Sequence, residues 1–231
     1  MLKPIPLDIA QRAAVRLCTD ASVDLVLPGD PRREIVVAVM ALAHSLKGTG
    51  WTREHIAEHV SVTVPGLGVL AQLLHDVPVA GPMLGFLADA AARPMVMLSP
   101  TAWGDAVTLL GTIGHELGHV GELRAADAHA GPPGSVAWCL AYGLDATARA
   151  GAEAPCYGAD MAHRVLLGGV PVDQVRRDAE TSLMGYGLDF DARTLCVDVL
   201  DSHAAALRAG VDPTGTVART LAALALEGWQ S

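Results

Sequence analysis

Residues 108–122, TLLGTIGHELGHVGE, carry two histidines four positions apart, His115 and His119, with Glu116 directly after the first. On a helix, positions i and i+4 share a face, so the two imidazoles can converge on one ion. Zinc suits such a pair. It accepts neutral imidazole nitrogen, takes four ligands, and in a catalytic site keeps one position for water. Glu116 then stands beside the ion, where it can take a proton from that water as it attacks a carbonyl.

The flanks support a buried helix. From Ala106 to Val120 the only charged or titratable residues are those of the motif itself, and buried polar groups need a partner such as a metal. Gly111, Gly114, Gly118 and Gly121 each cost about 1 kcal/mol of helix propensity against alanine. The close approach of another element would compensate. A second, inverted arrangement, His55-Ile56-Ala57-Glu58-His59, lies where charge alternates with apolar residues, as on a solvated helix. Ser61 to Gly66 should end that helix in a turn, so the His115/His119 pair is the better metal candidate.

The motif resembles that of the HExxH metallopeptidases, the zincins. The resemblance covers about fifteen contiguous residues and implies a zinc-dependent peptidase acting on a peptide or protein substrate, with one Zn2+ per chain. The metzincin extension would place glycine and histidine where Glu122 and Ala125 stand, which disfavours that subclass. Residues 152–163, AEAPCYGADMAH, resemble the second helix of the gluzincins. That likeness implies Glu153 as third zinc ligand and Asp160 as the carboxylate that orients a histidine. Pro155 would require this helix to begin near Glu153. Asp127, His129, His163, Glu180, Asp198, Asp201 and His203 compete for the ligand role, and Glu122 reads as a carboxylate outside the metal shell. For the oxyanion of the reaction Tyr157 is the chosen donor, with His163, Tyr186 and His203 as alternatives.

Length and composition bound the rest. The 231 residues are 51% hydrophobic but only 4% aromatic, so the core is built from Ala, Val and Leu, which favours close-packed helices. The expectation is a single α+β domain, mainly α-helical, with a helical N-terminal part over 1–92. The zincin-like metal-binding part, 93–231, has a small sheet element beside the motif helix. Helices are expected at Leu7–Cys18, from Asp30-Pro31 to Lys47, and over Val172–Leu183, Thr194–Ala209 and Pro213–Leu226. Strands are expected at Val23–Leu27 and Pro94–Leu98. The order of the latter, a strand and then the Ser99-Pro100 start leading to the motif helix, resembles the zincin arrangement, which implies that Met95–Leu98 lines the cleft as an edge strand pairing with substrate. The alternative is a short core strand.

The net charge of −9 argues against a nucleic-acid partner, which needs a basic surface. Thr52–Val60 and Leu67–Leu74 form a helix-turn-helix in outline, but no Lys or Arg lies between Arg53 and Arg93. The four cysteines form no Cys-x-x-Cys pair. Residues 1–8 lack the apolar core of a signal peptide. The most apolar stretch, Val77–Ala88, is about twelve residues, short of the roughly 20 that cross a bilayer. A cytoplasmic protein without membrane contact is expected. The rival to a peptidase is a non-enzymatic assembly protein, viral or secretion-type, that keeps a zincin-like fold and even its metal for structure. A structural zinc site has no need of Glu116 and is normally closed by a fourth protein ligand.

Overall fold

Asp105 begins the helix that carries the motif: its Oδ1 accepts the backbone N–H of Thr108 at 2.8 Å, satisfying a donor that the first turn leaves open. The computed structural model describes residues 3–47, 51–64, 93–131 and 133–230, without the side chains at 35, 39, 42–47 and 133. Among them are ten helices and three short strands, a mainly helical chain with one small sheet. In chain order these are α1 (Leu7–Asp20), β1 (Asp24–Val26), α2 (Arg32–Lys47), α3 (Arg53–His59), β2 (Val62–Val64) and β3 (Met95–Met97). There follow α4 (Pro100–Trp103), α5 (Ala106–Ala130), α6 (Pro133–Leu144), α7 (Ala146–Leu166), α8 (Val172–Met184), α9 (Phe190–Arg208) and α10 (Thr216–Leu226).

The 25-residue α5 is the spine, and α7 packs along it. Gly111, Gly114 and Gly118 form one stripe of α5. A Cβ built there would stand 2.6 Å from Asp160 Oδ1, 3.0 Å from His163 Cε1 and 2.7 Å from Cys156 Sγ, all on α7. The glycines therefore buy closeness, as expected, although Gly121 meets nothing within 4 Å. Their combined propensity cost of about 3 kcal/mol is offset by the complete burial of Leu109, Leu110 and Ile113, each contributing roughly 1.5–3 kcal/mol.

Two features of the sheet correct the sequence reading. Its order is β1-β3-β2, with β1 parallel and β2 antiparallel to β3, so Met95–Met97 is the central strand. All three of its residues are buried, so it is the short core strand of the alternative reading and not a cleft edge. The edge beside α5 is β2, within the segment expected to be a turn. Val62-Thr63-Val64 is β-branched throughout and favours a pleated, half-buried surface. Strands β1 and β2 come from residues 1–92 and flank β3, so the sheet crosses the 92/93 division.

Helix α7 also differs from expectation. It begins at Ala146, capped by Asp145 Oδ1 on the N–H groups of Thr147 and Ala148, and runs through Pro155. The proline denies an acceptor bond to the carbonyl of Gly151, but both residues are exposed, so water can satisfy that carbonyl. Ser99 and Pro100 start only the single turn α4, with Ser99 Oγ accepting Ala102 N–H at 3.1 Å. The expected helix at 67–74 and the apolar stretch 77–88 lie outside the described residues. No helix among the described residues is long and apolar enough to cross a membrane.

Candidate metal centre

His115 and His119 face α7 from one side of α5, and Glu153 reaches them from the second turn of α7. The two Nε2 atoms are 3.1 Å apart. Glu153 Oε2 lies 3.3 Å from His115 Nε2, and Oε1 lies 3.5 Å from His119 Nε2. An ion bound tetrahedrally at about 2.0–2.1 Å spaces its ligand atoms roughly 3.3–3.4 Å apart. The three separations, 3.1–3.5 Å, bracket that edge length, with the two carboxylate oxygens of Glu153 each facing one imidazole.

Burial sharpens the fit. The Glu153 side chain is 3% exposed, and its Oε2 accepts no hydrogen bond among the described residues. A buried acceptor left bare costs about 1–3 kcal/mol, more when charged, and a cation offsets that cost. Desolvation opposes the carboxylate charge, but the two imidazoles close beside it outweigh that and hold the Glu153 carboxyl well below the usual range. His119 is likewise buried, which disfavours its charge. Cys156, Glu122 and Glu153 around it prevail and raise it well above the ordinary histidine value. Metal entry at Nε2 would displace that proton.

The far side of His119 is also furnished. Its Nδ1 lies 3.4 Å from Glu122 Oε2 and 3.5 Å from Cys156 Sγ. A carboxylate there keeps the remaining proton on Nδ1 and leaves Nε2 free as a ligand. Glu122 thus sits outside the donor triangle, as the sequence suggested. His119, Glu122 and Cys156 form a second close group of donors, but it needs the same imidazole through its opposite nitrogen.

Glu116 stands beside the triangle without joining it. Thr63 on β2 shares its hydroxyl proton between Glu116 Oε2 at 2.7 Å and the Glu116 carbonyl at 2.9 Å, tying the edge strand to the motif. A cavity of about 230 Å³ opens there, lined by His115, Glu116, His119 and Glu153 with Trp51, Trp138, Tyr142 and Tyr186. A second, of about 310 Å³, lies on the other side of His115 and Glu116 and reaches Tyr157 and Asp160. The two share Trp51, Val60, Ser61, His115, Glu116 and Tyr186 in their linings, and the first also takes in Val62 and Thr63 of β2.

The chain has only three tyrosines, and all of them surround Glu153. Tyr142 donates its hydroxyl to Glu153 Oε1. Tyr157 packs edge-on against the His115 ring, with centroids 4.8 Å apart, and its hydroxyl faces Tyr186 and Ser182. Burial, reinforced by the Glu153 charge, pushes all three phenols up, so each is a neutral donor near pH 7.

The remaining sequence candidates have other occupations. Asp160 packs on Gly111 and lies 3.8 Å from Arg164 Nη1. Among the described residues it makes no hydrogen bond to His115 or His119. His163 is a satisfied core histidine, its Nδ1 at 2.7 Å from the Ala159 carbonyl and its Nε2 at 2.8 Å from Thr220 Oγ1. Asp127 accepts the N–H of Ser135, Glu180 and Asp201 pair with Arg176, and His203 packs against Gly158. His129 and Asp198 are exposed. His55 and His59 lie on α3, where only Ile56 is buried, and neither belongs to a close group of three donors among the described residues.

Sequence reasoning missed α6, and with it Trp138 and Tyr142. The signal was present: Gly131 to Ser135 breaks the chain, and Ser135 to Leu144 is an uncharged run long enough for three turns.

No protein-family model, curated protein or solved structure matches the chain.

Proposed function

We propose that this chain is a zinc-dependent metallopeptidase with a zincin-like arrangement, in which His115, His119 and Glu153 hold one zinc ion and Glu116 is the general base. The observation that carries the reading is the donor group of His115, His119 and Glu153, in which Glu153 Oε2 faces His115, Oε1 faces His119, and Glu116 stands beside them without joining them. Zinc held there supplies a Lewis acid that lowers the pKa of water and polarises a carbonyl.

The chain's own groups supply the rest. Among the described residues β2 pairs with β3 alone, and its other edge would offer N–H and C=O groups to an extended peptide. Thr63 fixes the Glu116 carboxylate through Oε2. Glu116 takes the proton of the attacking water and passes it to the departing amine nitrogen. Tyr157, and as an alternative Tyr186, are the neutral phenols lining the cavities that would donate to the oxyanion. Trp51 and Trp138 give the first cavity apolar walls for substrate side chains.

A catalytic rather than structural role is supported by the ligand count: among the described residues the triangle has three protein donors and no fourth. The acidic net charge favours a peptide over a nucleic-acid substrate. Four unpaired cysteines fit a reducing compartment such as the cytoplasm.

The test is cleavage of a peptide library, read as new termini by mass spectrometry, for zinc-loaded wild-type protein and Glu116→Gln. The expected result is cleavage by the wild type and a loss of about 10²-fold or more in the variant at unchanged zinc content. Absence of cleavage by the zinc-loaded wild type, or equal cleavage by both proteins, would overturn the peptidase reading.

A further inference from the structure

We propose that Tyr142 is a positioning residue that divides the Glu153 carboxylate, holding Oε1 so that Oε2 alone is offered to the metal. This rests on the metal site proposed above. The two oxygens of one buried carboxylate have different surroundings. Oε1 receives the Tyr142 hydroxyl while lying 3.5 Å from His119 Nε2, whereas Oε2, 3.3 Å from His115 Nε2, accepts no hydrogen bond among the described residues. A carboxylate can bind a cation through one oxygen or both, and a hydrogen bond to one of them favours the single-oxygen mode. That mode leaves the fourth position of a tetrahedral site open. The two-oxygen mode would crowd it.

Tyr142 is itself held. Its ring stacks on that of Trp138 one turn earlier, at 5.2 Å and 20°, and stands edge-on to His119 at 6.2 Å. Its carbonyl accepts Arg149 Nε at 3.0 Å. Arg149 lies one turn before Glu153 on α7, and its other nitrogens bind the carbonyls of Gly143 and Tyr186. The helix that presents Glu153 therefore also clamps the end of α6 that presents Tyr142. The hydroxyl is a fixed feature of the site.

The experiment uses the full chain, wild type beside Tyr142→Phe, which keeps the ring and its stacking. Zinc affinity is read by competition with a chromophoric chelator, and coordination by the visible absorption of the cobalt(II)-substituted proteins. Tyr142→Phe is expected to bind zinc 10–100-fold more weakly, and its cobalt bands to lose the intensity of a four-coordinate site. Trp138→Phe retains the hydroxyl and should keep the four-coordinate spectrum. A cobalt spectrum unchanged in Tyr142→Phe overturns the proposal. Failure of the wild type to bind either metal overturns the metal site itself, and this proposal with it.

Discussion

Glu153 Oε2 lies 3.3 Å from His115 Nε2 and accepts no hydrogen bond from it. That spacing is the one neighbouring ligand atoms take around the zinc ion proposed above. Metal binding to the folded chain alone stabilises it by mass action, about 2.7 kcal/mol at a hundredfold excess over Kd. Calorimetry should show the melting temperature of the metal-free protein rising on addition of zinc. Glu153→Gln should lose most of that rise, because the amide cannot supply an anionic ligand.

The α5–α7 contact can be tested through its tightest point. Gly118→Ala would place a methyl 2.7 Å from Cys156 Sγ, and overpacking of this kind costs about 1–3 kcal/mol. Urea unfolding should report that loss. In Gly118→Ala/Cys156→Ala the sulfur is gone, so the double variant should be less destabilised than the sum of the two single changes. Additive behaviour would show that the glycine is not there for closeness.

The legibility of this molecule in its sequence divides along physical lines. His115, Glu116 and His119 were legible because helical spacing alone brings them together. The glycine stripe was legible because its cost called for a close neighbour. Glu153 came from a resemblance, and the structure places it at the triangle by a different route, a helix that starts seven residues earlier and tolerates Pro155 on its wet face. Strand β2 and helix α6 were missed for opposite reasons. The proline and glycine after Val64 drew attention to a turn and away from three β-branched residues. The uncharged run of α6 has no polar stripe to give it helical periodicity. Asp160 shares the face of Glu153 by spacing, but no spacing rule shows that Gly111 and Arg164 claim it.

Thr63 should matter to catalysis and little to metal. Hydrogen bonds to charged groups are worth roughly 1.5–3 kcal/mol, so Thr63→Val is expected to lower kcat by about 10–100-fold once Glu116 loses its orienting donor. Zinc content should stay at the wild-type level. A parallel loss of zinc would assign Thr63 to the fold rather than to the base.

His163 gives a pH dependence that can be isolated. Burial pushes its imidazole below the ordinary value of 6.5, so the folded state prefers it neutral. The unfolded chain then binds the extra proton first. The stability that neutral His163 contributes is complete above pH 6.5 and is lost as pH falls through the lower folded value. In metal-free protein, which removes zinc release from the measurement, His163→Gln should be less stable than wild type at pH 8. That deficit should shrink as the pH is lowered toward 5. A deficit independent of pH would mean that His163 is not held neutral.

The most direct test of the central claim is the metal content of purified, untagged protein, measured by plasma mass spectrometry for the wild type and for His119→Ala. The account predicts about one zinc per wild-type chain and its loss in the variant. Absence of metal from both, with added zinc failing to bind the wild type, would contradict it and leave His115, His119 and Glu153 as a buried polar cluster of the core.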